Sequence, residues 1–112
     1  MNAKDKTTLS NILADMQKIV RYTQGVDQES FYDDELRQDA IIMVLLTIGE
    51  RVKNLSKEFK SAHTHIPWRS MADFRNDAAH EYDGLQLPDV WNSATNTIPA
   101  LQRQIQEIVE QA

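Results

Sequence analysis

The chain has 112 residues, 41% hydrophobic and 26% charged, with three glycines, three prolines and no cysteine. That length and mixture suit one packed domain over residues 1–112 and argue against disorder. The absence of cysteine excludes disulfides and thiolate metal sites and fits a reducing compartment. Seventeen acids against twelve bases leave a net charge of −5, so any nucleic-acid site has to be a local basic patch. The N-terminal stretch MNAKDKTTLSN has no apolar core of the signal-peptide kind. The longest apolar run, Ala40 to Leu46, is too short to span a bilayer. The expectation is a cytoplasmic protein with no membrane contact.

Leu9, Ile12, Leu13, Met16, Ile19, Val20 and Tyr22 recur at helical spacing. They predict a helix from about Thr8 to Gln24, stopped at Gly25. VDQESFYDD reads as a turn that holds one helical turn, capped by Asp27 or Ser30. Asp33, Asp34 and Glu35 read as the cap of the next helix, at its positive end. From Asp34 the apolar pattern Leu36, Ala40, Ile41, Val44, Leu45, Ile48, Val52, Leu55 and Phe59 predicts one long helix. It is apolar over more than one face, as a helix packed on two sides or against a second subunit would be. Gly49 within it costs about 1 kcal/mol relative to Ala, which close approach of another helix would offset.

Ile66-Pro67 reads as an extended link. Ser70 with Asp73 three residues later resembles a capping box and predicts a third helix from Ser70. That helix carries Met71, Phe74, Ala78 and Ala79 inward and frays near Asp83-Gly84. Pro88 suits the first turn of a fourth helix with the stripe Val90, Ala94, Ile98, Leu101, Ile105 and Ile108, kinked at Pro99. No strand-like alternation, repeat or low-complexity tract is present. The predicted fold is an all-α antiparallel bundle of four to five helices, four of them main.

The third helix carries FRNDAAHEYDG, Phe74 to Gly84. Asn76 and His80, four apart, share a helix face, and Arg75 lies near Tyr82, while Arg75 and His80 stand about 140° apart. The last pair meets only if Arg75 reaches round the helix or a second subunit supplies one half. The residue types suit metal-independent RNA cleavage. Histidine exchanges protons near neutrality, arginine forks onto phosphate, and asparagine holds either a phosphate oxygen or the imidazole tautomer. Spacing alone is a weak signal, and a structural role is the commoner outcome for such a pair.

RNDAAHEY resembles the R-x4-H-x-Y signature of HepT-like toxins, a branch of the HEPN ribonuclease superfamily. ELRQDAIIMVLLTIGERVKNLS with its Gly49-Glu50 pair, IPW at Ile66 to Trp68, and DVW followed by IPALQRQI resemble the family's other blocks in order. The resemblance covers about Phe31 to Val109. It implies a HEPN-like helical domain that acts as a homodimer, with the two signatures lining a cleft. It implies a toxin of a type II/VII-like toxin–antitoxin system, an endoribonuclease that needs no metal or other cofactor. Arg75 and His80 become the catalytic pair and Asn76 a supporting residue. Apart from the resemblance, Arg69 beside Trp68 is a candidate phosphate contact, with a solvated side chain the commoner outcome. Tyr82 becomes the residue that a cognate minimal nucleotidyltransferase antitoxin modifies with AMP, blocking RNA by bulk and charge. DGLQL, before Pro88, departs from the family's pattern of a β-branched or aromatic residue leading to an acid. Glu81 places a negative charge beside the proposed site. The competing reading is a non-catalytic HEPN subunit that docks a nucleotidyltransferase and binds nucleotide or RNA.

Other features have plainer readings. His63 and His65 would need Glu58 or Asp73 to hold a metal and are more simply solvated loop histidines. Trp68 and Trp91 could stack on bases, but at helix starts they more often pack as core. The four methionines read as gap fillers.

Overall fold

The computed structural model describes residues 1–80 and 86–111, with side chains described for 1–74 and 86–111. The elements are α1 (Ala3–Thr23), α2 (Gln28–Tyr32), α3 (Glu35–Lys53), α4 (Lys57–Ala62), α5 (Trp68–His80), α6 (Leu87–Asn92), a π turn (Ser93–Thr97) and α7 (Ile98–Gln111). All the regular structure among the described residues is helical, as the apolar spacing predicts.

The principal packing runs as a row. α5 lies on α3, α3 on α1, and α1 on α7. The stripe of α1 (Leu9, Ile12, Met16 and Ile19) is completely buried. On α3 the buried set is Ile41, Ile42, Leu45, Ile48, Gly49 and Val52. It is wide because α1 and α5 both pack there. Burial of each large side chain in this core is worth about 1.5–3 kcal/mol. Gly49 is buried within this face, where the absence of a side chain suits close packing.

Polar ties fix the relative direction of α1 and α3. At one end the Arg37 guanidinium donates to the Tyr22 carbonyl at 2.5 Å. At the other end the Asp5 carboxylate accepts from the Ser56 N–H at 2.9 Å and the Ser56 hydroxyl at 2.6 Å. The start of α3 thus meets the end of α1, and the two run antiparallel. Between them Arg51 Nε donates to the buried Asp15 carboxylate at 2.6 Å.

Helix ends follow local chemistry. Asn2 caps α1 through Asp5 N–H at 2.7 Å, so the helix begins at Ala3, earlier than Thr8. The apolar stripe dates the buried part of a helix, and α1 extends one polar turn before it. Asp27, one of the two candidates there, caps α2, and Asp34, one of the three acids expected at the next cap, caps α3 through its side chain. The Arg37 N–H hydrogen bond leads among the influences that hold the Asp34 carboxyl below the ordinary carboxylate range. Gly25, with φ of 72°, supplies the left-handed residue that turns the chain after α1.

The long helix expected from Asp34 to Phe59 is two helices. α3 ends at Lys53, and Ser56 caps a separate α4, its hydroxyl accepting from Phe59 N–H at 3.1 Å. The apolar spacing runs through the break because Leu55 and Phe59 are buried in the same core. The third helix starts at Trp68 rather than Ser70. The Pro67 carbonyl accepts from Met71 N–H at 3.1 Å, which leaves Ser70 inside the first turn. At Pro99 the adjustment is the π turn just before it, where Ile98 N–H reaches back to the Ser93 carbonyl. A proline clashes with the carbonyl four residues earlier, and a wider turn relieves that clash.

Asp5→Ala should lower stability by about 1–3 kcal/mol at neutral pH, because the Ser56 N–H and hydroxyl lose their acceptor. Burial pushes the Asp5 carboxyl up, but the two Ser56 hydrogen bonds, with the N-terminal amine and Lys4, outweigh it and hold it low. A lowered folded pKa gives stability that is present above the unfolded value of about 3.9 and fades as pH falls through the folded one. Urea unfolding of both proteins from neutral pH to below pH 4 should therefore show the gap narrowing on the acid side.

Candidate active site

α5 is held by its inner face. Met71 is completely buried and Trp68 nearly so, while Ala72 and Phe74 are half-buried against the core. Most of this contact is with α3. Arg69, in the first turn of α5, is exposed and forms no ion pair with a described residue. The helix continues without interruption to His80, so the segment from Arg75 to His80 is helical as predicted. In a continuous helix the backbone positions 69, 76 and 80 fall on one line to within about 20°. The side chains of Arg75, Asn76, Ala78, Ala79 and His80 lie outside the described residues. So do Glu81, Tyr82, Asp83 and Gly84, and with them the expected fraying and the loop that departs from the family pattern.

The two tryptophans pack as core. Trp68 is only 8% exposed, its ring lies 5.6 Å from that of Phe59, and its indole N–H donates to the His63 carbonyl at 3.0 Å. Trp91 is half-buried, with its ring 5.1 Å from Phe31. The His63 ring packs 4.7 Å from Phe59, and His65 stands edge-on to it at 6.1 Å. Among the described residues no three His, Cys, Asp or Glu side chains are grouped to hold a metal ion. No helix is long and apolar enough to cross a membrane among the described residues.

The buried carboxylates Asp5 and Asp15 escaped the sequence reading. Asp5 lies in the polar turn before the apolar stripe of α1 and Asp15 lies beside that stripe, and its period says nothing about partners. Ser56 carried a signal, since a serine after a polar Lys53-Asn54 step is a natural helix cap.

Residues 12–108 match the family model described as "Ribonuclease HepT-like". The chain is similar to "Putative RNase TTE0752" of Caldanaerobacter subterraneus subsp. tengcongensis, 34% identical over 102 residues that cover 91% of each chain. It is similar to "Putative RNase MJ0127" of Methanocaldococcus jannaschii, 33% identical over 98% of this chain and 92% of that one. It is also similar to "Probable ribonuclease HepT" of Thermococcus cleftensis, 32% identical over 96% of this chain and 98% of that one. No solved structure matches the chain.

Trp68→Phe should cost about 1–2 kcal/mol, from the lost indole hydrogen bond and some lost apolar contact. Urea unfolding checks this. A base-stacking tryptophan would instead leave stability unchanged and weaken RNA affinity.

Proposed function

The chain belongs to the HepT-like ribonuclease family, and from that premise we propose that it is a metal-independent endoribonuclease and the toxin of a toxin–antitoxin pair. The observation that carries the reading is the unbroken helix from Trp68 to His80, which bears the first six residues of the signature, Arg75 to His80, in a chain matched to the family over residues 12–108. In this reading His80 takes the proton of a ribose 2′-OH. The freed oxygen attacks the adjacent phosphorus, the bond to the 5′-oxygen breaks, and an acid, the protonated imidazole of His80 or of its counterpart in the second copy, gives that oxygen a proton as it leaves. The products are a 2′,3′-cyclic phosphate and a 5′-hydroxyl. Arg75 stabilises the charge gathered on the phosphoryl oxygens, Asn76 orients a phosphate oxygen or the imidazole, and Arg69 holds a neighbouring phosphate.

The reading extends to one HEPN-like domain over residues 1–112, working as a homodimer in the cytoplasm. Arg75 and His80, separated by about 140° on one helix, then form a composite site with their counterparts. Leu36 and Met43, seven residues apart on α3, are 83% and 61% exposed and supply apolar surface for a second copy. Neutralisation comes from a cognate nucleotidyltransferase that places AMP on Tyr82, where its anionic phosphate repels the RNA backbone.

Induced expression of the wild-type chain should arrest growth, whereas His80→Ala and Arg75→Ala should not, with circular dichroism spectra unchanged. The RNA that accumulates should carry cyclic phosphate ends. Arrest by a folded His80→Ala equal to that of wild type would sink the catalytic reading and favour the non-catalytic binding subunit.

A further inference from the structure

Six of the twelve basic residues of this acidic chain lie towards one end of the bundle. From Arg51 to Arg69 the sequence holds five lysine or arginine residues against one acid, Glu58, while the rest holds seven bases against sixteen acids. Folding enlarges the group. The hydrogen bonds from Ser56 to Asp5 lay the first turn of α1 against the first turn of α4. Lys4 and Lys6, which flank Asp5, therefore lie at the same end of the bundle as Lys53, Lys57 and Lys60. The Asp5 charge that brings them together is buried beneath the surface. Phe59 and Trp68 pack ring to ring and bring α4 to the start of α5, where Arg69 stands.

Lys4, Lys6, Lys53, Lys57 and Arg69 are exposed and Lys60 is half-exposed. None forms an ion pair with a described residue, whereas Arg51 in the same stretch is paired with Asp15. The acids nearest to them on the same elements are the buried Asp5 on α1, Glu50 one turn before Lys53 on α3, Glu58 on α4, which lines the cleft with Asn2 and Asp5, and Asp73 one turn beyond Arg69.

We infer that this end of the bundle is a track for the phosphate backbone of RNA, leading along α5 from Arg69 towards the signature. Its direction rests on the ribonuclease reading, but its affinity for RNA does not. Eleven helical residues separate positions 69 and 80, about 16 Å along the axis, so the lysines beyond Arg69 hold phosphates at a distance from the bond that is cut. The chemistry favours RNA over an acidic protein face. Protein interfaces centre on apolar or aromatic anchors, and here Phe59 and Trp68 are buried while lysines make the surface. Lysine ammonium groups on long stems suit a sequence-independent phosphate backbone.

The test is fluorescence anisotropy with a labelled single-stranded RNA of about 20 nucleotides, in a His80→Ala background that removes the proposed cleavage, between about 50 and 200 mM salt. The triple variant Lys53→Glu, Lys57→Glu and Lys60→Glu should weaken binding at least about tenfold. It should also flatten the log–log salt slope by about 2, since each lost phosphate contact removes about 0.7. The milder Lys→Gln triple, which guards against misfolding of the first, should flatten the slope by a similar amount. A control triple with the same charge change, Lys18→Glu, Arg21→Glu and Arg103→Glu, should keep the parent slope. Equal losses in patch and control variants, or a folded patch variant with parent affinity and slope, would overturn the inference; the latter would point to an acidic protein partner. Growth arrest that survives His80→Ala would remove the ribonuclease reading and leave the binding result standing.

Discussion

The position of the signature-bearing helix depends on α3 being buried on two sides at once. α1 packs on one side of it and α5 on the other. The buried set Ile41, Ile42, Leu45, Ile48, Gly49 and Val52 is too broad for one contact and about right for two. Among the described residues α5 packs chiefly on α3, with Met71 and Trp68 buried at its beginning and the helix running on through Arg75 to His80. A change in the core face of α3 would therefore be felt at the signature without touching it, since close-packed interiors pass strain to their neighbours.

The second constraint is the end of α3. Had the helix run on to Phe59, as its apolar period allows, Lys53, Lys57 and Lys60 would lie along one straight rod. Instead the chain breaks at Asn54, Ser56 caps α4, and Asp5 takes both Ser56 donors. That latch closes α1 onto α4 and pulls Lys4 and Lys6 to the same end. The same tie that fixes the antiparallel pair thus concentrates positive charge in a chain whose net charge is negative. An acidic ribonuclease is then no contradiction, because exposed charges act over about a Debye length, roughly 10 Å, rather than over the whole molecule.

Much of this was legible in the sequence, and the failures have a common cause. Stripes such as Leu9–Ile12–Met16–Ile19 mark buried faces, and all of these are buried. Asp27 and Asp34 announce caps because a carboxylate before a helical stretch has few better uses. Periodicity does not report backbone breaks, however, when residues on both sides of the break join one core. Leu55 and Phe59 do so, and the apolar period therefore runs through them unbroken. Ser70 and Asp73 satisfied the pattern of a capping box, yet Pro67 had already opened the helix with its carbonyl. A motif match is local, whereas Trp68 is drawn inward by Phe59 and by the His63 carbonyl, which sequence does not display.

The proposed site was legible in a different way. Arg75, Asn76, His80 and Tyr82 were found through the order of their neighbours and the family likeness, since the spacing of an arginine and a histidine is common by chance. The lysine end of the bundle has no counterpart in the linear sequence, although every residue of it is there. Its charges are spread over four elements, from Lys4 to Arg69. They become one surface only through the Asp5–Ser56 latch and the Phe59–Trp68 contact. A linear reading shows a local charge excess but no surface. Reading charge in sequence windows alone will miss such tracks wherever a buried acid, as here, is what assembles them.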